Sequence, residues 1–106
     1  MARFSFDVQP NTAQIIRTSW DNGTDVFANV REKGETRVFW VSDWDIERRK
    51  GSLDYELRFG EQEYTVNEMK RNIVILNHSD TPQHVLIEMQ EIEYVRPFPV
   101  TATTGF

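Results

Sequence analysis

No cysteine occurs in the 106 residues of this chain, which excludes a disulfide framework and a thiolate metal site and leaves the fold to rest on its apolar core. Positive charge is also short: 12 Lys and Arg stand against 17 Asp and Glu, for a formal net charge of −5. A general nucleic-acid binder needs a basic face that releases counterions from phosphates, so nucleic acid is not an expected partner. No run approaches the about 18 consecutive apolar residues of a membrane span, and MARFSFDVQP has no apolar signal-peptide core. No membrane partner is expected, and a cytoplasmic location is the default. The triplets Asn22-Gly-Thr and Asn77-His-Ser are read as coincidence in a chain without cysteine or signal.

What the chain does contain is alternation. A length of 106 residues suits one domain, whose core removes roughly 65% of the unfolded surface from water, and the 12% aromatic content favours sheet. Phe4, Phe6 and Val8 share one face of a first strand, which Pro10-Asn11 ends. Ile16, Thr18 and Trp20 share a face of the second, and Val26, Ala28 and Val30 of the third. Asn22-Gly23 between these two predicts a type I′ hairpin turn, because that turn needs positive φ at both central residues. Glu32-Lys33-Gly34-Glu35 carries another hairpin signal. Val38 and Trp40 then alternate with Phe39 and Val41, apolar on both faces, which places that strand inside a sheet or under a covering segment.

Residues 42–51, SDWDIERRKG, break the strand pattern and predict a short helical turn over 43–50. Ser42 with Asp45 makes a capping box, acids fill the first turn, Arg48-Arg49-Lys50 fill the last, and Gly51 stops it. Leu53, Tyr55, Leu57 and Phe59 return to alternation, and Gly60-Glu61-Gln62 is expected to turn the chain back into Tyr64 and Val66. Ile73–Leu76 is too short for a buried helix and reads as a central strand. After a turn at Ser79–Pro82, Val85, Ile87 and Met89 line one face, while Ile92 and Tyr94 have the opposite parity and imply a bulge near Gln90-Glu91. Pro97 and Pro99 are expected to end regular pairing.

These segments predict an all-β fold, an antiparallel β-sandwich of about 7–9 strands with one short helical turn, in a domain over residues 1–96 followed by an extended or mobile tail over 97–106. The strand count, the tryptophan on an early strand and the length resemble immunoglobulin-like and fibronectin type III sandwiches, with a jelly roll as the other arrangement. The Cys…Trp…Cys pattern is absent, and no tyrosine stands in a tyrosine-corner position before residues 73–76.

Chemistry is sparsely signalled. Glu56 and Glu88 lie opposite apolar residues and read as solvent-facing rather than as a catalytic pair. No nucleophile signature such as Gly-x-Ser-x-Gly occurs, so no catalytic residue is assigned and the chain is read as a non-enzyme. His78, Asp80 and His84 bracket one loop with zinc-type ligands but lack the spacing of a known site, and Asp21, Asn22 and Asp25 offer oxygens for Ca²⁺ in a loop too short for an EF-hand. No metal and no cofactor is therefore expected. Trp20, Asp21 and Asn22 could form an aromatic platform with polar neighbours, yet the turn reading is preferred and Trp20 is expected to be buried. Trp44, between Asp43 and Asp45, is the better candidate for an exposed aromatic. The functional expectation is a β-sandwich binding module that meets a protein or carbohydrate partner through end loops. The alternative is a structural assembly subunit of a phage- or secretion-type particle, a possible homo-oligomer joined through sheet edges and the arm from Arg96 to Phe106.

Overall fold

The structure, a computed structural model, describes residues 2–48, 55–89 and 96–101. Among these residues lie β1 (Ala2–Val8), β2 (Thr12–Arg17), β3 (Asp25–Glu32), β4 (Arg37–Val41), α1 (Asp43–Arg48), β5 (Tyr55–Leu57), β6 (Gly60–Thr65), β7 (Asn72–Asn77), β8 (Gln83–Met89) and β9 (Arg96–Thr101). They form two antiparallel sheets, one ordered β1-β8-β3-β6 and the other β5-β4-β7-β2-β9. The all-β sandwich expected from the alternation is the fold observed.

Strand order refines that expectation. Sheets ordered 1-8-3-6 and 5-4-7-2 make the two halves of a jelly roll, and β9 adds an edge strand beside β2. An immunoglobulin sandwich keeps several consecutive strands in one sheet, whereas here only β4 and β5 are consecutive and share a sheet. Four ladders nest like brackets: β1 with β8, β2 with β7, β3 with β6, and β4 with β5.

The predicted hairpins at Asn22-Gly23, at 32–35 and at 60–62 are therefore corrected to crossings between sheets. Gly23 has φ of 88°, but Asn22 is not among the positive-φ residues, so a type I′ turn is ruled out. The Thr24 amide donates to the Asp21 carbonyl at 3.1 Å, giving a type II pattern instead, with glycine where φ must be positive. Gly60 opens β6 rather than turning the chain. Pro97 and Pro99 do not end pairing either; they pair with Ile16 and Gln14 in β9, which straddles the boundary drawn at residue 96. Two prolines of equal parity on an edge strand are compatible with pairing, since both can turn their missing donors away from the ladder.

Between the sheets, the parities read from sequence meet in one core. Val8, Val26, Ala28, Val30, Val85, Ile87 and Met89 from one sheet pack on Ile16, Val38, Trp40, Leu57, Ile73 and Ile75 from the other. Trp20 joins them, its ring centroid 6.1 Å from that of Trp40, which in turn stacks on Tyr64 at 4.6 Å. Phe39 and Val41 point the other way and form a second cluster with Ala13, Ile15, Val74 and Leu76, against which Ile46 of α1 packs. That is why β4 and β7 read as apolar on both faces. Where β5 stops at Leu57 the alternation stops burying side chains: Phe59, expected beside Leu57, is 70% exposed. Leu53, Ile92, Tyr94, the bulge near Gln90-Glu91 and the stop at Arg49-Lys50-Gly51 fall outside the described residues.

Candidate functional site

At one end of the sandwich α1 and the loops over 18–24 and 66–71 are fastened together. The helix starts as its cap predicts: the Asp45 amide donates to Ser42 Oγ at 3.1 Å and the Ile46 amide to the Ser42 carbonyl. With so few turns, α1 projects Trp44 outward, 58% exposed, with the Arg48 guanidinium carbon 3.9 Å above its ring.

The loop beside it carries the least ordinary backbone among the described residues. Glu68 and Met69 both have positive φ, 53° and 59°, and the Lys70 amide donates to the Asn67 carbonyl at 2.9 Å. That is the type I′ turn, built here from two residues with side chains, each costing roughly 1–3 kcal/mol unless its surroundings fix it. The surroundings do fix it. Met69 N–H donates to Asn22 Oδ1 at 2.9 Å, and the Met69 carbonyl accepts from the amides of Asp43 and Arg71.

Arg71 is the hub. Its Nε and Nη2 grip the Asp43 carboxylate at 3.1 and 2.8 Å, and Nη1 donates to the Trp20 carbonyl at 3.3 Å. The Arg71 carbonyl accepts from Thr18 Oγ1 at 2.6 Å. Next along the chain, buried Asn72 donates to Asp43 Oδ1 and to the Val41 carbonyl, while its own Oδ1 faces no donor among the described residues. Partial burial works to raise the Asp43 carboxyl, and the bonds from Arg71 and Asn72 outweigh it, holding that carboxyl below its ordinary value. Arg71 is raised in turn by its bond to Asp43. Burial pushes the Tyr64 phenol up to about 12, and its hydroxyl donates to the Lys70 carbonyl at 2.7 Å. Lys70 lays its ammonium 4.6 Å from the ring centroid of exposed Tyr55.

Of the two tryptophans singled out in the sequence as candidate contacts, Trp44 is exposed and Trp20 is not. Asp43 and Asn22 are struts, Asp45 lies in the capped first turn, and Trp20 is buried at 8% exposure. Asp21 is exposed and supplies a turn carbonyl. Asp25 accepts from Thr65 Oγ1 at 2.7 Å. Among the described residues no group of three or more His, Asp or Glu is arranged to hold a metal ion. His84 turns away from His78 and Asp80 to bond Asp7 and Ser5. Glu88, read as solvent-facing, is corrected: Arg3 and Arg31 bond its two oxygens at 2.9 and 2.8 Å, cover it, and hold its carboxyl below the usual range. Glu56 is exposed as expected and pairs with Arg37.

Arg71, Met69, Lys70 and Tyr55 were missed. The signal available was polar Arg71-Asn72 at the entry to a strand buried on both faces, since buried polar groups at such a junction need partners. Compared with known protein families, with curated proteins and with solved structures, the chain matches none.

Proposed function

We propose that the chain is a binding module that recognises a partner at the α1 end, with Trp44 and Arg48 as the central contact and exposed Met69 and Tyr55 at the same end. One observation carries the reading. Two adjacent residues with side chains are held in the left-handed region by bonds from Asn22, Asp43 and Arg71, and the turn they make sits hydrogen-bonded to the first residue of α1. Strain of that kind is kept where a surface must have a fixed shape. The exposed set of Trp, Tyr, Met and Arg is the composition enriched at protein interfaces, which favours a protein over a carbohydrate as partner.

The test is a binding partner isolated from the source cell by proximity labelling, remeasured with purified components, alongside a glycan array. Trp44→Ala should weaken binding at least about 10-fold, as truncation of a central Trp anchor does, with unfolding unchanged. Full binding by Trp44→Ala sinks the reading, and a glycan selected on the array moves it to carbohydrate.

A second reading rests on β9. The eight-strand jelly roll is complete without this strand, which lies on the β2 edge and ends the described chain. Such an arm suits a structural assembly subunit that pairs with a neighbour's sheet. Oligomers lost on deleting residues 97–106 support it; a monomer at every concentration counts against it.

A further inference from the structure

On the outer face of the β1-β8-β3-β6 sheet, at the end opposite α1, register brings together three side chains that sequence separation hides. Asp7 is the direct ladder partner of His84, and Ser5 lies two residues back on the same face of β1. His84 Nδ1 is 2.8 Å from Asp7 Oδ1, and His84 Nε2 is 3.1 Å from Ser5 Oγ. An ionised carboxylate can only accept, so Asp7 accepts a hydrogen bond from Nδ1–H, which leaves the Nε2 lone pair for the Ser5 hydroxyl. That is the order of contacts a nucleophile, its base and the group orienting that base require.

The surroundings add a place for a substrate. In β3 the ladder to β8 slips between Val30 and Glu32, so Arg31 and Glu32 both reach solvent beside His84. Bulges of this kind re-aim side chains and occur beside active sites. Glu32 Oε2 lies 3.7 Å from His84 Nε2, beyond hydrogen-bond reach. An open groove of about 630 Å³ starts at His84 and is lined by Arg31, Glu32, Lys33, Gly34, Phe59 and Gln83. Phe59 is the most exposed large apolar side chain among the described residues, and its ring suits an aromatic group. Arg31 and Lys33 are the cations of the groove, held at 2.8 Å by Glu88 and at 3.0 Å by the Thr36 carbonyl, and only their remaining N–H groups can meet a developing oxyanion.

We propose that Ser5, His84 and Asp7 form a serine-centred acyl-transfer site for small aryl esters. Ser5 Oγ attacks the ester carbonyl carbon as its proton passes to His84 Nε2. The carbon–oxygen bond to the phenol breaks, and the phenolate takes that proton, leaving an acyl group on Ser5. Water then gives its proton to Nε2 and its hydroxyl to the carbonyl carbon; the acid departs and Ser5 recovers its proton. Asp7 is a positioning residue, acting through His84. The site is exposed and its carbonyl-stabilising groups are side chains, so rates are modest. The proposal is independent of the α1 surface, because none of its residues belongs to that end.

Incubation of the full chain with p-nitrophenyl acetate and, separately, with a fluorophosphonate probe tests the site. The expected result is one acetyl or phosphonyl adduct on Ser5, read by tandem mass spectrometry. It should be absent from Ser5→Ala and reduced at least about 10-fold in His84→Gln, a lower bound on what a positioned base contributes. Asp7→Asn should lower kcat with KM held, and Asp7→Glu should recover part of the loss. All three positions face solvent from an intact sheet, and urea unfolding checks that the four variants stay folded. Adducts confined to lysine or histidine, a Ser5 adduct that persists in His84→Gln, or wild-type hydrolysis by Ser5→Ala each overturn the proposal.

Discussion

The outer face of the β1-β8-β3-β6 sheet is wet, whereas the outer face of the other sheet is dry over the middle of β2, β4 and β7. On the first, Arg3, Ser5, Asp7, Arg31 and His84 stand in solvent and pair across strands. On the second, Ala13, Ile15, Phe39, Val41, Val74 and Leu76 are buried and Ile46 of α1 lies against them. The same backbone ladder runs beneath both. What differs is whether another segment covers the face. Burial there adds apolar area taken from water to that already gained between the sheets, whereas the wet face retains polar groups that can meet small molecules. The dry sheet carries stability, and the wet one can carry chemistry.

The sharpest way to break this contrast is one substitution on each face. Phe39→Ala should cost about 3–5 kcal/mol by urea unfolding, since it removes a fully buried ring, while Ser5→Ala should stay within about 0.5 kcal/mol. Equal costs would mean the two faces are not different in kind. Next in size is Ile46→Ala, which trims the contact from α1 to the dry face and should cost about 1–2 kcal/mol, less than a full burial because Ile46 is only partly covered.

A pH series probes the clamp that holds α1 at the dry sheet's end. The folded Asp43 carboxyl sits below its ordinary value, so it binds a proton less readily than in the unfolded chain. Its contribution is present above the unfolded value of about 3.9 and is lost as pH falls through the lower folded value. Asp43→Asn should therefore cost about 1 kcal/mol at neutral pH, a figure reduced because the pair is partly solvated, and should flatten the loss of stability below about pH 4. Unfolding midpoints between pH 2 and 7 measure it. The smallest expected effect has the opposite sign. Met69→Gly relieves a left-handed residue and should add about 0.5–1 kcal/mol while weakening partner binding; a stability loss would show that Met69 is held by packing rather than strained.

Much of this architecture was legible. Parity placed Phe4, Phe6 and Val8 inward, Ser42 announced α1, and Ile73–Leu76 announced a central strand. These are local signals: a side chain's face is set by the residue two away, and a cap by the residue three away. The connections were not legible, because Asn22-Gly23 shows that the chain bends without showing which strand receives it. Trp44 could be found because a short helix exposes most of its surface. Arg71 with Asp43, and Ser5 with His84, could not, since each pairing depends on ladder register between segments far apart in the chain. Glu88 failed for a related reason: its alternation pointed outward correctly, but two arginines from neighbouring strands close over it.

The nested ladders have a consequence in time. A strand near the start, β1, finds its partner only when β8 exists, and β2 must wait for β7, so a chain leaving the ribosome can close only the innermost pair, β4 with β5, early. Closure then proceeds outward from the α1 tip, each bracket shortening the loop left for the next. Pulsed hydrogen exchange during refolding should protect the amides of β4 and β5 before those of β1; protection of β1 first would exclude that order. The groups at the two ends of the sandwich would then be born at different moments. Asp43 and Arg71 can meet as soon as β7 docks, whereas Ser5 meets His84 only with the last strand of the jelly roll.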